Sequence, residues 1–139
     1  MHRVLIAVDG SKPAERAVRH VIGTAAAGMK QQVLLLNVQL EWAPARSKEE
    51  KDEGRRLHAE AADQATRRAR ALLEAAGLPY ESAMRVGDEA GEIAALARAR
   101  KCSQIVMGMR GRGAIARVVL GSVSLKTLRL AEVPVTIVK

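Results

Sequence analysis

The chain has 139 residues, a formal net charge of +8, 48% hydrophobic residues and one cysteine. That length suits a single domain, expected over residues 1–139, with a core that needs neither disulfides nor metal; lone Cys102 excludes an internal disulfide framework and fits a reducing compartment. Phe is absent, and Trp42 and Tyr80 are the only aromatics, which argues against stacking single-stranded nucleic acid, while the positive balance keeps acidic partners open.

The apolar, β-branched run from Arg3 to Val8 predicts a first strand, closed by the turn Asp9-Gly10-Ser11. Lys12-Pro13 opens a helix to about Ala27, with proline in the first turn, where its missing N–H costs no hydrogen bond. Ala14, Ala17, Val18, Val21 and Ile22 form its buried stripe, and Gly28 stops it. Gln31 to Val38 is a continuous apolar run, as expected of a strand buried on both faces. A polar connection, Glu41 to Lys51, leads to a long helix from about Glu49 to Ala76, with Gly54 as a candidate for its true start. Tyr80 to Val86 predicts a third strand with the alternating character of an edge. After Gly87-Asp88 come a helix (Glu89 to Arg100), a strand (Ser103 to Met107), a glycine-rich loop, a helix (Ser122 to about Ala131) and a last strand (Val133 to Val138).

This alternation predicts a three-layer α/β/α open sheet of five parallel strands with four main helices and right-handed crossovers. Ligands in such sheets lie beyond the carboxyl ends of the strands, where the strand order reverses. Arg55, Arg56, Arg67, Arg68 and Arg70 fall on one predicted helix; a solvated helix face is the expected reading, against a nucleic-acid or membrane patch. The apolar run Val4 to Val8 is too short for a signal-peptide core or a membrane span, so a cytoplasmic protein without membrane contact is expected.

The chemistry concentrates in Gly108-Met109-Arg110-Gly111, then nine residues, then Gly121-Ser122. Glycines between a strand and a helix let a ligand approach the backbone, and the helix N-terminus offers unpaired N–H groups and a favourable dipole to an anion. Arg110, Arg112 and Arg117 add positive charge, so an anion site, first of all for a nucleotide, is expected there. No Gly-Lys-Ser/Thr follows, so the loop is not a P-loop, and its glycines at 108, 111 and 113 are not spaced as a dinucleotide fingerprint. Asp9 would repel phosphate; it either faces ribose hydroxyls or an adenine amino group, or it caps the first helix with Ser11. Ser122 is placed to cap its helix and bond a phosphate oxygen, while Lys126 and Arg129 are expected in solvent. His2, His20, His58 and Cys102 have no metal-ligand spacing, Cys102 reads as a small hydrophobe, and no catalytic triad suggests itself.

The chain resembles the universal stress proteins over nearly its full length. The matching residues are Val4 to Ser11, Leu35-Leu36-Asn37-Val38, Val86-Gly87-Asp88, Ile105 to Gly111 with Gly121-Ser122-Val123-Ser124, and Val133-Pro134-Val135. The spacing Gly-x2-Gly-x9-Gly-Ser resembles that of the family's ATP-binding branch. The resemblance implies the strand order 3-2-1-4-5, a homodimer joined through the last strand, Val133 to Val138, and an adenine nucleotide (ATP, or ADP or AMP), with Mg2+ as an optional companion. It implies that Asp9 contacts the ribose and the Val38 backbone meets the adenine edge. Gly108, Arg110, Gly111, Gly121, Ser122 and the Val123 N–H would serve ribose and phosphates. Gln104 and Met109 depart from residues common in the family, and neither removes a backbone donor. The first expectation is therefore a nucleotide-binding stress-response module without dedicated catalysis. The alternatives are a slow ATPase or adenylate-using enzyme of similar fold, and a basic protein that binds nucleic acid or acidic partners.

Overall fold

The computed structural model describes residues 2–41, 44–109 and 120–139. The elements in chain order are β1 (His2–Ala7), α1 (Lys12–Ala26), β2 (Gln31–Gln39), α2 (Lys48–Ala75), β3 (Tyr80–Val86), α3 (Glu89–Ala99), β4 (Gln104–Gly108), α4 (Ser122–Leu130) and β5 (Val135–Val138). The five strands form one parallel sheet in the order β3-β2-β1-β4-β5. Strand order reverses between β1 and β4, the place where an open parallel sheet offers a crevice.

Burial on both faces explains the continuous apolar runs, because alternate side chains of one strand enter different cores. Val4, Ile6, Val33, Leu35 and Val106 pack with Ala17, Val18 and Val21 of α1 and with Ala69 and Leu73 of α2. Leu5, Leu34, Leu36, Ile105 and Met107 pack on the opposite face with Ile93, Leu96 and Ala97 of α3, flanked by Val123 of α4. Cys102 is buried in this second core, and burial pushes its thiol pKa up, so it behaves as a small hydrophobe.

One boundary bears out the sequence expectation and one differs from it. The long helix starts at Lys48, within one residue of the expected Glu49 and not at the alternative Gly54, because Ser47 Oγ accepts from the Glu50 N–H at 3.1 Å and caps it. The last strand starts at Val135, two residues later than expected; Pro134 cannot donate to a ladder, although its carbonyl accepts from the Ile105 N–H at 2.9 Å. β3 lies at the sheet edge, as its alternating pattern suggested. The α2 arginines pair with neighbouring carboxylates, Arg56 with Glu53 and Glu60, and Arg67 and Arg70 with Asp63. Among the described residues, no helix is long and apolar enough to cross a membrane.

Leu73 anchors α2 to the sheet and is 0% exposed, whereas Leu57 on the same helix is 39% exposed. Leu73→Ala should lower unfolding free energy by about 2–5 kcal/mol, and Leu57→Ala by no more than about 0.5 kcal/mol, both read by urea denaturation. Equal effects would mean that α2 is not held by this contact.

Candidate functional site

The ladder between β1 and β4 ends with the pair Ile6 and Val106, after which the two strands part. The cleft that opens there is lined by Ala7, Val8 and Asp9 on the β1 side and by Met107 and Gly108 on the β4 side. Ser11, Pro13 and Ala14 at the start of α1 close it on one face of the sheet, and Glu89 at the start of α3 reaches it from the other. The turn after the first strand and the end of the fourth therefore meet in one cleft.

The Asp9-Gly10-Ser11 turn is built from its own side chains. Asp9 Oδ1 accepts from the Ser11 N–H at 3.0 Å, a local Asx turn, and Ser11 Oγ accepts from the Ala14 N–H at 3.3 Å, capping α1. Gly10 has φ +84°, a conformation that costs a Cβ-bearing residue, and a Cβ there would lie 3.4 Å from Ala65 Cα of α2. The capping role thus falls to Ser11, while Asp9 braces the turn with one oxygen and still lines the cleft. A carboxylate has about four lone-pair sites, so bracing the turn does not exhaust its acceptor capacity.

Gly108 has a packing reason of its own. A Cβ at this position would overlap the Pro13 carbonyl and lie 2.8 Å from Pro13 Cβ. The bare Cα lets the first turn of α1 close onto the end of β4, which brings Asp9 and Gly108 to opposite walls of one cleft.

Val38 sits beyond the part of β2 that β1 covers. The β1–β2 register ends at Ala7 and Leu36, with a last bond from the Val8 N–H to the Leu36 carbonyl at 2.8 Å. On the other side, the β2–β3 register runs on to Gln39, whose carbonyl accepts from the Gly87 N–H at 3.0 Å. Successive residues of a parallel strand direct their N–H and C=O to alternate sides. Val38 therefore shares the side of Leu36 and directs its N–H and C=O to the space that β1 has left. Its side chain packs against the α3-side core. Beside it, Asn37 Nδ2 donates to the Val8 carbonyl at 2.8 Å and ties β2 to the base of the Asp9 turn.

Helix α4 begins at Ser122, and its N-cap is Gly121, which has no side-chain oxygen to offer the first-turn amides. The sequence expectation that Ser122 caps the helix is corrected: Ser122 is the first helical residue, with an exposed side chain, and Val123 follows it half-buried. Lys126, expected in solvent, donates to Asp88 Oδ2 at 2.9 Å, although both side chains remain about half exposed. Asp88 also caps α3 by accepting from the Gly91 N–H at 2.9 Å. Arg110, Gly111, Arg112, Gly113 and Arg117 lie outside the described residues.

Two features escaped the sequence reading. Glu89 registered only as the first residue of a helix, and its position in the cleft depends on how α3 crosses the sheet. The bond between Lys126 and Asp88 joins residues 38 apart, for which the local pattern gives no signal.

An open, doubly wound parallel sheet with its cleft at the carboxyl ends of β1 and β4 defines an α/β ligand-binding class. Within that class, residues 1–139 match the sequence pattern of the Universal stress protein family, and the chain belongs to it. Universal stress protein MJ0531 of Methanocaldococcus jannaschii is 32% identical over 80 residues. That stretch covers 58% of this chain and 47% of the relative, about half the relative's length. Hypothetical protein MJ0577 superposes with a TM-score of 0.79 at 27% identity, covering 99% of this chain and 94% of that one. A universal stress protein in complex with cAMP gives a TM-score of 0.68 at 26% identity over 99% of this chain and 97% of its own. A family member from Arabidopsis thaliana with AMP bound shares the fold, with a TM-score of 0.74 at 21% identity, covering 100% and 92% of the two chains.

Two outcomes follow from this geometry. Gly108→Ala should lower ligand-free stability by about 1–3 kcal/mol or more, because backbone, not a flexible side chain, occupies the space; an unchanged urea midpoint would mean that α1 does not press on β4. The Lys126 ammonium, and after it the Gly91 N–H, hold the Asp88 carboxyl below its ordinary pKa of 3.8. Because the folded pKa is the lower one, this contribution to stability is full above pH 3.8 and lost as pH falls through the folded value. NMR titration should show Lys126→Met moving the Asp88 pKa back toward 3.8, and an unmoved pKa would remove the ion pair from the account.

Proposed function

We propose that this chain is a single-domain, cytoplasmic stress-response module that binds an adenine nucleotide, ATP in first place with ADP and AMP as related ligands. The observation that carries the reading is the shared cleft: the Asp9 turn and the end of β4 at Gly108 face each other at the switch point of the sheet. The adenine edge would meet the N–H and C=O of Val38, an adjacent donor and acceptor pair in the space that β1 leaves open. The ribose would lie over Gly108 with Asp9 accepting from a hydroxyl. The phosphates would reach the start of α4, where Gly121, Ser122 and the Val123 N–H present the positive end of a helix. Arg110 and Gly111 would serve the phosphates from the loop before it. The match to a universal stress protein in complex with cAMP, at 26% identity, supports an adenine nucleotide.

Mg2+ fits as a companion of the phosphates. Among the described residues, no group of three or more His, Cys, Asp or Glu could hold a metal, so phosphate oxygens would supply much of its shell, as is usual for nucleotide-bound Mg2+. The chain would work as a homodimer through β5, which lies at the edge of the sheet with one side unpaired among the described residues. On neighbouring α4, Leu125 and Leu128 are 45% and 42% exposed, apolar surface that a second copy would cover.

Thermal unfolding with and without nucleotide tests the reading. Ligand at a hundred times its Kd should add about 2.7 kcal/mol to stability, with the melting temperature rising as ATP or AMP is titrated. Gly121→Val places a branched side chain where phosphate and backbone should meet, and Gly121 has φ −62°, a backbone conformation that a side-chain-bearing residue adopts. It should keep its ligand-free stability within about 1 kcal/mol and lose most of the nucleotide-dependent rise. No rise in the parent protein, or an undiminished rise in the variant, overturns the proposal.

A further inference from the structure

β3 is an edge of the sheet, and among the described residues no strand pairs with its outer side. The Val33 N–H donates to the Pro79 carbonyl at 3.2 Å, and the Gly87 N–H to the Gln39 carbonyl at 3.0 Å. These bonds assign the main-chain groups of the odd-numbered residues to β2, so Tyr80, Ser82, Met84 and Val86 direct theirs outward. Among the described residues the Met84 carbonyl is answered there by its own strand, from Arg85 Nη1 at 2.8 Å. The strand has 7 residues, with neither proline nor glycine to interrupt it.

The side chains make this edge selective. Glu81, Ala83 and Arg85 stand opposite Leu34, Leu36 and Val38 of β2 and so share the α3 side of the sheet. Glu81 and Arg85 are exposed, of opposite sign, and lie evenly on either side of half-buried Ala83. Exposed charges on an edge ordinarily keep other strands away. One arrangement answers both: the same strand of a second copy, antiparallel, with Ala83 opposite Ala83. Glu81 of each copy then faces Arg85 of the other, and Ser82 and Met84 exchange main-chain bonds across the joint. Parallel pairing in register would oppose like charges instead. On the α2 side, a groove lined by Ala59, Ala62 and Thr66 of α2 and by Ser82 and Met84 leaves room for the incoming Met84. Glu81 is already bonded to Arg100, yet one carboxylate serves several cations, as Glu15 does for Lys12, Arg19 and Arg68. We propose that β3 is a self-recognition edge, through which two copies join their sheets antiparallel about Ala83. β5 is the opposite edge of the sheet, so this surface is separate from the dimer contact proposed above and stands without the nucleotide reading.

Cysteine trapping in the full chain tests it. Ala83→Cys would meet its counterpart at a Cα separation of about 4.5 Å, within the reach of a disulfide. Val86→Cys is the control: Val86 is 37% exposed, but in this register it lies about 20 Å from its counterpart. Native Cys102 is buried, so the parent chain supplies the blank. Under mild oxidation Ala83→Cys should form a covalent dimer about tenfold faster than Val86→Cys. Added to Ala83→Cys, either Glu81→Arg or Arg85→Glu should slow the cross-link about tenfold, because each sets like charges opposite one another twice. Mixed together, these two charge variants should cross-link to each other at about the rate of Ala83→Cys alone, since every pair is again of opposite sign. Equal trapping at Ala83→Cys and Val86→Cys, or no trapping at Ala83→Cys, overturns the proposal. So do charge variants that pair with themselves as fast as with each other.

Discussion

The missing side chain of Gly108 lets the first turn of α1 rest on the end of β4, with the Pro13 carbonyl in the space a Cβ would need. The same turn is fixed from behind, where Gly10 lies against the backbone of Ala65 in α2 with φ +84°. Between these approaches the chain has little freedom, and the Asp9-Gly10-Ser11 turn is set by backbone contact on two sides and by its own hydrogen bonds inside. The Asp9 carboxylate is therefore positioned by packing before any ligand arrives. A group already held in place costs less conformational entropy on binding than one that must be ordered.

The cleft itself is a consequence of unequal strand reach. β1 ends at Ala7 while its neighbours continue, β2 to Gln39 and β4 to Gly108. Where β1 stops, main-chain groups on both sides lose their ladder partner. Asn37 compensates at one point by donating to the Val8 carbonyl, and the polar groups of Val38 face the opening. A sheet whose central strand stops before its two neighbours at the carboxyl end thus carries hydrogen-bonding capacity at its middle, roofed by helix starts from both faces. This is the physical content of the rule that ligands gather at the switch point.

Most of the architecture was legible because it rests on local pattern. Continuous runs such as Gln31 to Val38 are what two-sided burial demands, and the weaker alternation of Tyr80 to Val86 marks an edge. The start of α2 was legible too, at about Glu49, with Gly54 as the alternative. Ser47-Lys48-Glu49-Glu50 carries the Ser-x-x-Glu signature, and its Ser47 Oγ bond to the Glu50 N–H starts the helix earlier than a mid-helix glycine suggests. The site was legible only in outline. That Gly108 matters could be read from its spacing to Gly121, but its contact with Pro13 depends on two segments meeting across the fold. Glu89 has the same origin: only the crossing of α3 over the second core brings a helix-starting carboxylate into the cleft.

The ends of the helices give the charge pattern its meaning. α1, α2 and α3 each begin with a side-chain cap, from Ser11, Ser47 and Asp88, and each has an acidic residue in its first turn. These helices meet the partial positive charge of their N-termini with the chain's own oxygens. α4 begins on Gly121, with no side-chain oxygen and no acidic residue in its first turn. A net charge of +8 does not by itself say where an anion would go, and the α2 arginines are at least partly answered by carboxylates of the same surface. The asymmetry among the helix starts is more specific. Acceptors cluster where β1 and β4 part, and the end of a helix that its own cap residue leaves unanswered lies further along the same chain segment. Under the proposed nucleotide reading, the ligand's hydroxyls would lie toward Asp9 and its phosphates toward the start of α4.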